Sequence, residues 1–254
     1  MVVLKSWHSF WLSFWLPIAL FILWWVATSF AWVNPYLLPS PRSVFNAFWD
    51  LATEGTLTTH ILSSLGRSLG GYVAAIVVAL PLAYWFAKKE RVHQQGRILL
   101  ESLRMIPPLS LIPLLILWLG IGEVAKLAIV LLASFFPIYM NAYSGFKQLD
   151  YRYGELAQTL QLSAIEKVRH IELPGALPAV FTGLRLGFGY SWRALVSAEL
   201  IAASSGLGYL ISDASEMART DRVFVGILTI AVLGIIGDCL FQNVMKRVCP
   251  WTRM

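Results

Sequence analysis

Residues 65–87 read LGRSLGGYVAAIVVALPLAYWFA, a run of 23 residues with a single charge, Arg67. As an α-helix such a run is about 35 Å long, enough to cross a hydrocarbon layer of about 30 Å. Backbone polar groups in lipid must be satisfied within the segment, so the run is predicted to be a spanning helix. Gly66 and Gly70 form a small-xxx-small pair suited to close helix packing. Five further apolar runs surround it, over residues 14–33, 105–121, 124–146, 178–203 and 222–244. The run at 105–121 is short and broken by Pro107, Pro108 and Pro113. Gly120-Ile121-Gly122-Glu123 separates it from the next run as a tight turn.

The whole chain agrees with this reading. It has 254 residues, 57% hydrophobic and 13% charged, with a mean hydropathy of +0.66. Soluble domains carry nearly twice that share of charge. Disorder, a coiled coil and a disulfide scaffold are excluded. Cys239 and Cys249 have no metal-binding spacing. The apolar run after Lys5 is longer than the core of a signal peptide, so it is expected to stay as an anchor. The net charge of +6 fits an acidic partner, an anionic substrate or membrane topology.

The distribution of Lys and Arg selects among these. With the N-terminus in the cytoplasm, 13 of the 20 basic residues fall on inner segments. Arg42, Arg67, Lys126, Arg219 and Arg222 fall on outer segments or outer helix ends, while Arg185 and Arg193 lie inside the fifth run. The expectation is an all-α membrane protein, one domain over 1–254, with six transmembrane helices and both termini cytoplasmic. The charge signals topology, not nucleic acid. Outside, Pro41 and Ser43 open an amphipathic helix with Val44, Phe45, Phe48, Trp49 and Leu51, read as a surface helix covering the bundle or as a docking element.

No G-x-x-x-x-G-K-[ST] loop, H-E-x-x-H or G-x-S-x-G occurs, and His8, His60, His93 and His170 are scattered. An enzyme is therefore the weaker reading. The informative polar stretch is the inner loop at 150–178. Leu156 and Leu160 share a helix face. Ser163 and Glu166 form a capping-box pattern that starts a second short helix carrying Ile165, Val168 and Ile171. Pro174 and Pro178 close it. The predicted product is a helix-turn-helix, either a membrane-surface loop or a docking element for a cytoplasmic partner.

This loop resembles the EAA loop of binding-protein-dependent ABC importer permeases. Glu155, Ala157, Ile171, Leu173 and Pro174 stand at matching positions, Leu156 replaces an Ala, and Gln161 replaces the Gly of the turn. Further stretches resemble the nitrate/sulfonate/taurine branch: Leu38-Pro39-Ser40-Pro41, Ile106-Pro107-Pro108, Leu117-Trp118-Leu119-Gly120-Ile121-Gly122 with Lys126, Phe135-Phe136-Pro137, Gly183-Leu184-Arg185, Ala198-Glu199 and Gly206-Leu207-Gly208-Tyr209. The resemblance covers about residues 37–251 and implies a type I importer permease in a bacterial cytoplasmic membrane. It implies a homodimeric pathway, two copies of a separate ATPase that binds the ATP, and an extracytoplasmic substrate-binding protein. No cofactor or metal of the chain's own is implied. Glu155, Ala157, Leu160, Gln161, Ser163, Ile171, Leu173 and Pro174 would form the ATPase-coupling element. The implied cargo is a small anion such as an aliphatic sulfonate, taurine or nitrate, with a thiamine-pyrimidine precursor as the alternative. A membrane enzyme or a receptor is the reading from a different class.

The fifth run carries the unusual charges. At 100° per residue, Arg185, Gly189, Trp192, Val196 and Glu199 share a face. Intramembrane ionisable residues face a cavity or a partner. Arg185, Trp192, Arg193 and Glu199 are therefore the candidates for the translocation pathway, against pairing with carboxylates or snorkelling of Arg185.

Overall fold

A computed structural model describes the backbone of residues 3–252 and the side chains of 15–251, apart from 150–152, 154–156 and 158. Ten α-helices follow one another: α1 Val3–Ser29, α2 Pro41–Thr53, α3 Thr56–Lys88, α4 Glu90–Met105, α5 Ile112–Leu119, α6 Glu123–Thr159, α7 Ala164–Lys167, α8 Leu173–Ala202, α9 Leu207–Glu216 and α10 Thr220–Val248. Among the described residues there is no strand. The protein is an all-α membrane protein.

Three helices are long and apolar enough to cross a bilayer outright: Thr56–Lys88, Glu123–Leu149 and Thr220–Val248. Two more candidates are bent pairs, Glu90–Met105 with Pro108–Leu119 at 84° and Ala164–Ala202 with Leu207–Glu216 at 41°. In α1 the described apolar stretch is Trp15–Ser29.

The run at 105–121, expected to be short and broken by its prolines, is interrupted at its start. Met105 ends α4, a 3-10 turn occupies Pro108–Leu111, and only Ile112–Leu119 is α-helical. Pro107, Pro108 and Pro113 lack the N–H groups that would continue the ladder. The fourth run lengthens in the opposite sense. No breaker follows Pro137, so α6 passes through 37 residues into the polar loop. What was read as a separate first loop helix is the foot of α6.

α3 and α6 run in the same direction, and α8 runs back along α6, which packs against both. Their apolar seam contains Tyr72, Ala75, Ala79, Ala83, Ile138, Tyr139, Ala142, Ala176 and Leu195. Small residues set the spacing. An added Cβ at Gly71 would lie 2.7 Å from Val130, and one at Gly187 would lie 2.7 Å from Ile138 Cγ1. Gly183 and Gly187 also sit in this seam; of the predicted pair, Gly66 meets nothing within 4 Å, while an added Cβ at Gly70 would lie 3.3 Å from Leu127 Cδ2. Gly71, one step round the helix from Gly70, makes the closer approach to α6.

At one end of the bundle α2 lies across α10. Ser40 caps it, its Oγ accepting from the Ser43 N–H at 3.2 Å, with Pro41 at the first turn. Val44, Ala47 and Leu51 are buried with Leu207, Leu210 and Val225. This is the covering role; Phe45 and Trp49 remain exposed on the other face.

Candidate coupling loop and buried charge networks

The end of α6 begins the polar loop. Ala157 is buried, and its carbonyl accepts from the Leu162 N–H at 3.0 Å. The Glu155 side chain lies outside the described residues. Gln161 then adopts φ 50°, the left-handed conformation that the resemblance would give to glycine. A Cβ there costs on the order of 1 kcal/mol. The turn geometry of the motif is thus kept, at the expense of local strain.

Ser163 restarts the helix at φ −63°, ψ 160°. Its backbone N–H donates to Glu166 Oε2 at 2.9 Å, and its Oγ accepts from the Glu166 N–H at 3.3 Å, completing the predicted capping box. The Ser163 hydroxyl, which donates to Glu166 Oε2 at 2.7 Å, and then the Ser163 backbone N–H hold the Glu166 carboxyl below the usual carboxylate range. After α7 the chain widens into a π-helical stretch, Val168–Glu172, that leads straight into α8. Pro174 has no N–H for the His170 carbonyl four residues earlier, which disfavours regular α-helix at this junction. Leu160, Ile165 and Leu173 stand 59%, 79% and 51% exposed, while Ile171 is half-buried. Beside the loop, Tyr153, His170, Pro174 and Trp251 border a cleft of about 670 Å³.

Under the loop sits a carboxylate that sequence reasoning missed. Glu172 is 2% exposed and accepts from Lys88 Nζ at 2.6 Å and Tyr84 Oη at 3.3 Å, with Lys167 Nζ at 3.5 Å. It ties the π-helical stretch to the foot of α3. The signal was available: Glu172 lies between two loop positions singled out for their apolar character.

A second network occupies the opposite end. Glu199, 1% exposed, accepts from Ser64 Oγ at 2.8 Å, Arg67 Nη1 at 2.8 Å and the Gly208 N–H at 3.1 Å. Arg67 also donates to Ser205 O at 2.6 Å and, through Nη2, to Glu123 Oε1 at 2.9 Å. Lys126 Nζ meets the same Glu123 oxygen at 3.0 Å. Gly206, at φ 114°, closes the turn against Glu199, whose carboxylate leaves no room for a Cβ. Glu199 therefore joins α3, α8 and α9, and Arg67 carries the network on to α6 through Glu123. Arg67, a lone charge in an apolar run, was the sequence clue to it.

The four pathway candidates on α8 separate. Trp192 and Glu199 turn into the protomer, Trp192 donating from Nε1 to Ile230 O at 3.2 Å. Their face is buried away from α6: Trp192 packs against Ile230 and Gly234 of α10 and Glu199 meets α3 and α9, while Gly183 and Gly187 admit α6 on the opposite side of the helix. Arg185 forms a two-pronged pair with Asp238 of α10, at 2.5 and 2.8 Å, with both side chains 44% exposed. Arg193 is exposed and lies 5.9 Å from the Tyr190 ring centroid. It belongs to an outward stripe with Leu186, Tyr190 and Leu200. Among the described residues no group of three or more His, Cys, Asp or Glu side chains forms a metal-binding cluster.

Residues 71–249 match the family described as binding-protein-dependent transport system inner membrane component. The chain is 37% identical over 240 residues to the aliphatic sulfonates transport permease protein SsuC of Escherichia coli, covering 93% of this chain and 90% of that one. It is 34% identical over 237 residues to the taurine transport system permease protein TauC of Escherichia coli, covering 91% and 86%. The formylaminopyrimidine transport permease protein ThiX of Halalkalibacterium halodurans is 30% identical over 220 residues, covering 87% and 88%. The polar loop between two packed helices, the broken third run and these matches together lead to one conclusion: the chain belongs to the binding-protein-dependent transport system inner membrane components, as a multi-pass ABC importer permease subunit and not an enzyme.

Proposed function

We propose that this permease forms half of a homodimeric pathway that imports a small organic anion, an aliphatic sulfonate or taurine. Two ATPase copies would bind and hydrolyse ATP, and an extracytoplasmic binding protein would deliver the cargo. In this reading the chain spans the membrane six times with both termini cytoplasmic. Leu160, Ile165 and Leu173 would seat in the ATPase, with Glu155, Ala157, Gln161, Ser163, Ile171 and Pro174 shaping the element. One observation carries the coupling role: the exposed apolar residues stand on a capped loop continuous with α6 and α8. A rigid connection of this kind suits rigid-body alternating access. The names of the sulfonate and taurine relatives support the cargo class, and the outward stripe of α8 with Arg193 is the proposed pathway face.

The test is reconstitution of the permease with its ATPase and binding protein in proteoliposomes. ATP-dependent uptake of labelled taurine or ethanesulfonate is expected, with nitrate as a competitor. Ile165→Asp is expected to abolish co-purification of the ATPase. Retained coupling in that variant would refute the loop assignment. The formylaminopyrimidine relative motivates the second reading, a heteroaromatic cargo; uptake of the pyrimidine without uptake of any sulfonate would establish it.

A further inference from the structure

The Lys126 side chain is 6% exposed and that of Arg67 9%, yet the carboxylate that bridges them, Glu123, belongs to a side chain 57% exposed. Arg67 has a second, fully buried partner in Glu199. With Glu123 withdrawn, Arg67, Lys126 and Glu199 would leave one uncompensated positive charge. Lys126 borders a cleft of about 450 Å³ whose walls include Ile116, Ile121 and Ile201. That volume lies within the range of small-molecule sites. Ile121 and Ile201 are 80% and 65% exposed, so the cleft is open from outside the protomer. Ile201 also adjoins the outward stripe of α8 that ends at Leu200. Gly120 turns at φ 80° just before Glu123, and Gly122 has open space around it, so the turn can shift without a side-chain clash.

We propose that this cleft is an anion subsite at the end of the pathway remote from the coupling loop, in which Glu123 holds the place of the cargo's anionic group. An entering sulfonate takes over the Lys126 ammonium and the Arg67 Nη2 donor as Glu123 swings into solvent. The isoleucine walls receive the short alkyl part. The carboxylate keeps the two cations paired between cargo molecules, which avoids leaving a buried charge unpartnered. Release follows when Glu123 returns.

This inference rests on the anion reading above. Its test uses the permease assembled with its ATPase in lipid nanodiscs, with ethanesulfonate as probe, calorimetric binding at constant ionic strength, and uptake in proteoliposomes. Glu123→Gln removes the internal competitor and is expected to tighten ethanesulfonate binding at least fivefold. Lys126→Gln is expected to weaken it at least tenfold. Glu123→Asp keeps a shorter carboxylate and is expected to tighten binding at least twofold, which serves if the Gln variant fails to assemble. Unchanged or weaker binding in whichever Glu123 variant assembles, while the unaltered complex imports sulfonates, overturns the subsite alone. If the unaltered complex imports a pyrimidine and no sulfonate, the anion reading falls and the subsite with it.

Discussion

Glu199→Gln isolates the worth of the buried charge at the head of the bundle. The carboxylate receives donors from Ser64, Arg67 and Gly208 at 2.8, 2.8 and 3.1 Å. An amide of the same shape turns one acceptor into a donor, so one of those three partners meets a second donor. Hydrogen bonds to a charged group contribute about 1.5–3 kcal/mol each. Breaking a buried ion pair by removing one partner costs about 3–5 kcal/mol. Arg67 keeps its bonds to Glu123 and Ser205, which places the expected cost near the lower end, about 3 kcal/mol. For a chain of this size that is about 6–12 °C in midpoint. The 11 tryptophans permit intrinsic-fluorescence melting of the purified protein in detergent. Arg67→Met with Glu199→Met in one chain should melt closer to the unaltered protein than Glu199→Gln does, since no buried charge is left alone. A Glu199→Gln midpoint within about 1 °C of the unaltered protein would refute the network as a stabilising unit.

Three further outcomes are expected. Arg185→Met, which breaks a pair 44% exposed on both sides, should cost no more than about 1 kcal/mol in the same melt; a larger loss would show the pair to be shielded. Gln161→Gly relieves a positive φ and should stabilise the loop by up to about 1 kcal/mol, read as slower amide exchange over 160–167; faster exchange would contradict the strain. Ser163→Ala should cost about 1 kcal/mol of local helix stability, and the capping box of the unaltered protein should depend on pH. Glu166 is held below its ordinary range, so its contribution is complete above the unfolded value and fades as pH falls through the folded one. Amide exchange in α7, corrected for intrinsic rates, should accelerate only in that acid window.

Much of the fold was legible because spanning helices and caps are local. The capping box is written in Ser163 and Glu166, and the covering helix in Ser40-Pro41 and its apolar stripe. The length of α6 was misjudged because polarity, not helix termination, was used to end it: residues 147–159 change solvent, not conformation. The buried networks were harder to see. Arg67 lies 56 residues from Glu123 and 132 from Glu199, and a periodic pattern within one helix carries nothing about such pairings. Reading α8 as a wheel grouped Trp192 and Glu199 with Arg185 correctly by angle. It could not tell which side the neighbours occupy; the contacts of Trp192 to α10 and of Glu199 to α3 and α9 decide that.

The unbroken course of α6 has a mechanical consequence. Its 37 residues make a rod of about 55 Å. One end is the foot of the polar loop proposed to meet the ATPase, and the other carries Glu123 and Lys126 beside the proposed anion subsite. No loop intervenes, Pro137 is its one internal break in the N–H ladder, and α3 and α8 are clamped to the rod along the glycine seam. A stroke delivered at the foot would therefore be carried to the head by one continuous helix. If the proposed dimer forms, the timing between nucleotide turnover and opening of the mouth would then be set mainly where the two copies meet, or where the binding protein sits.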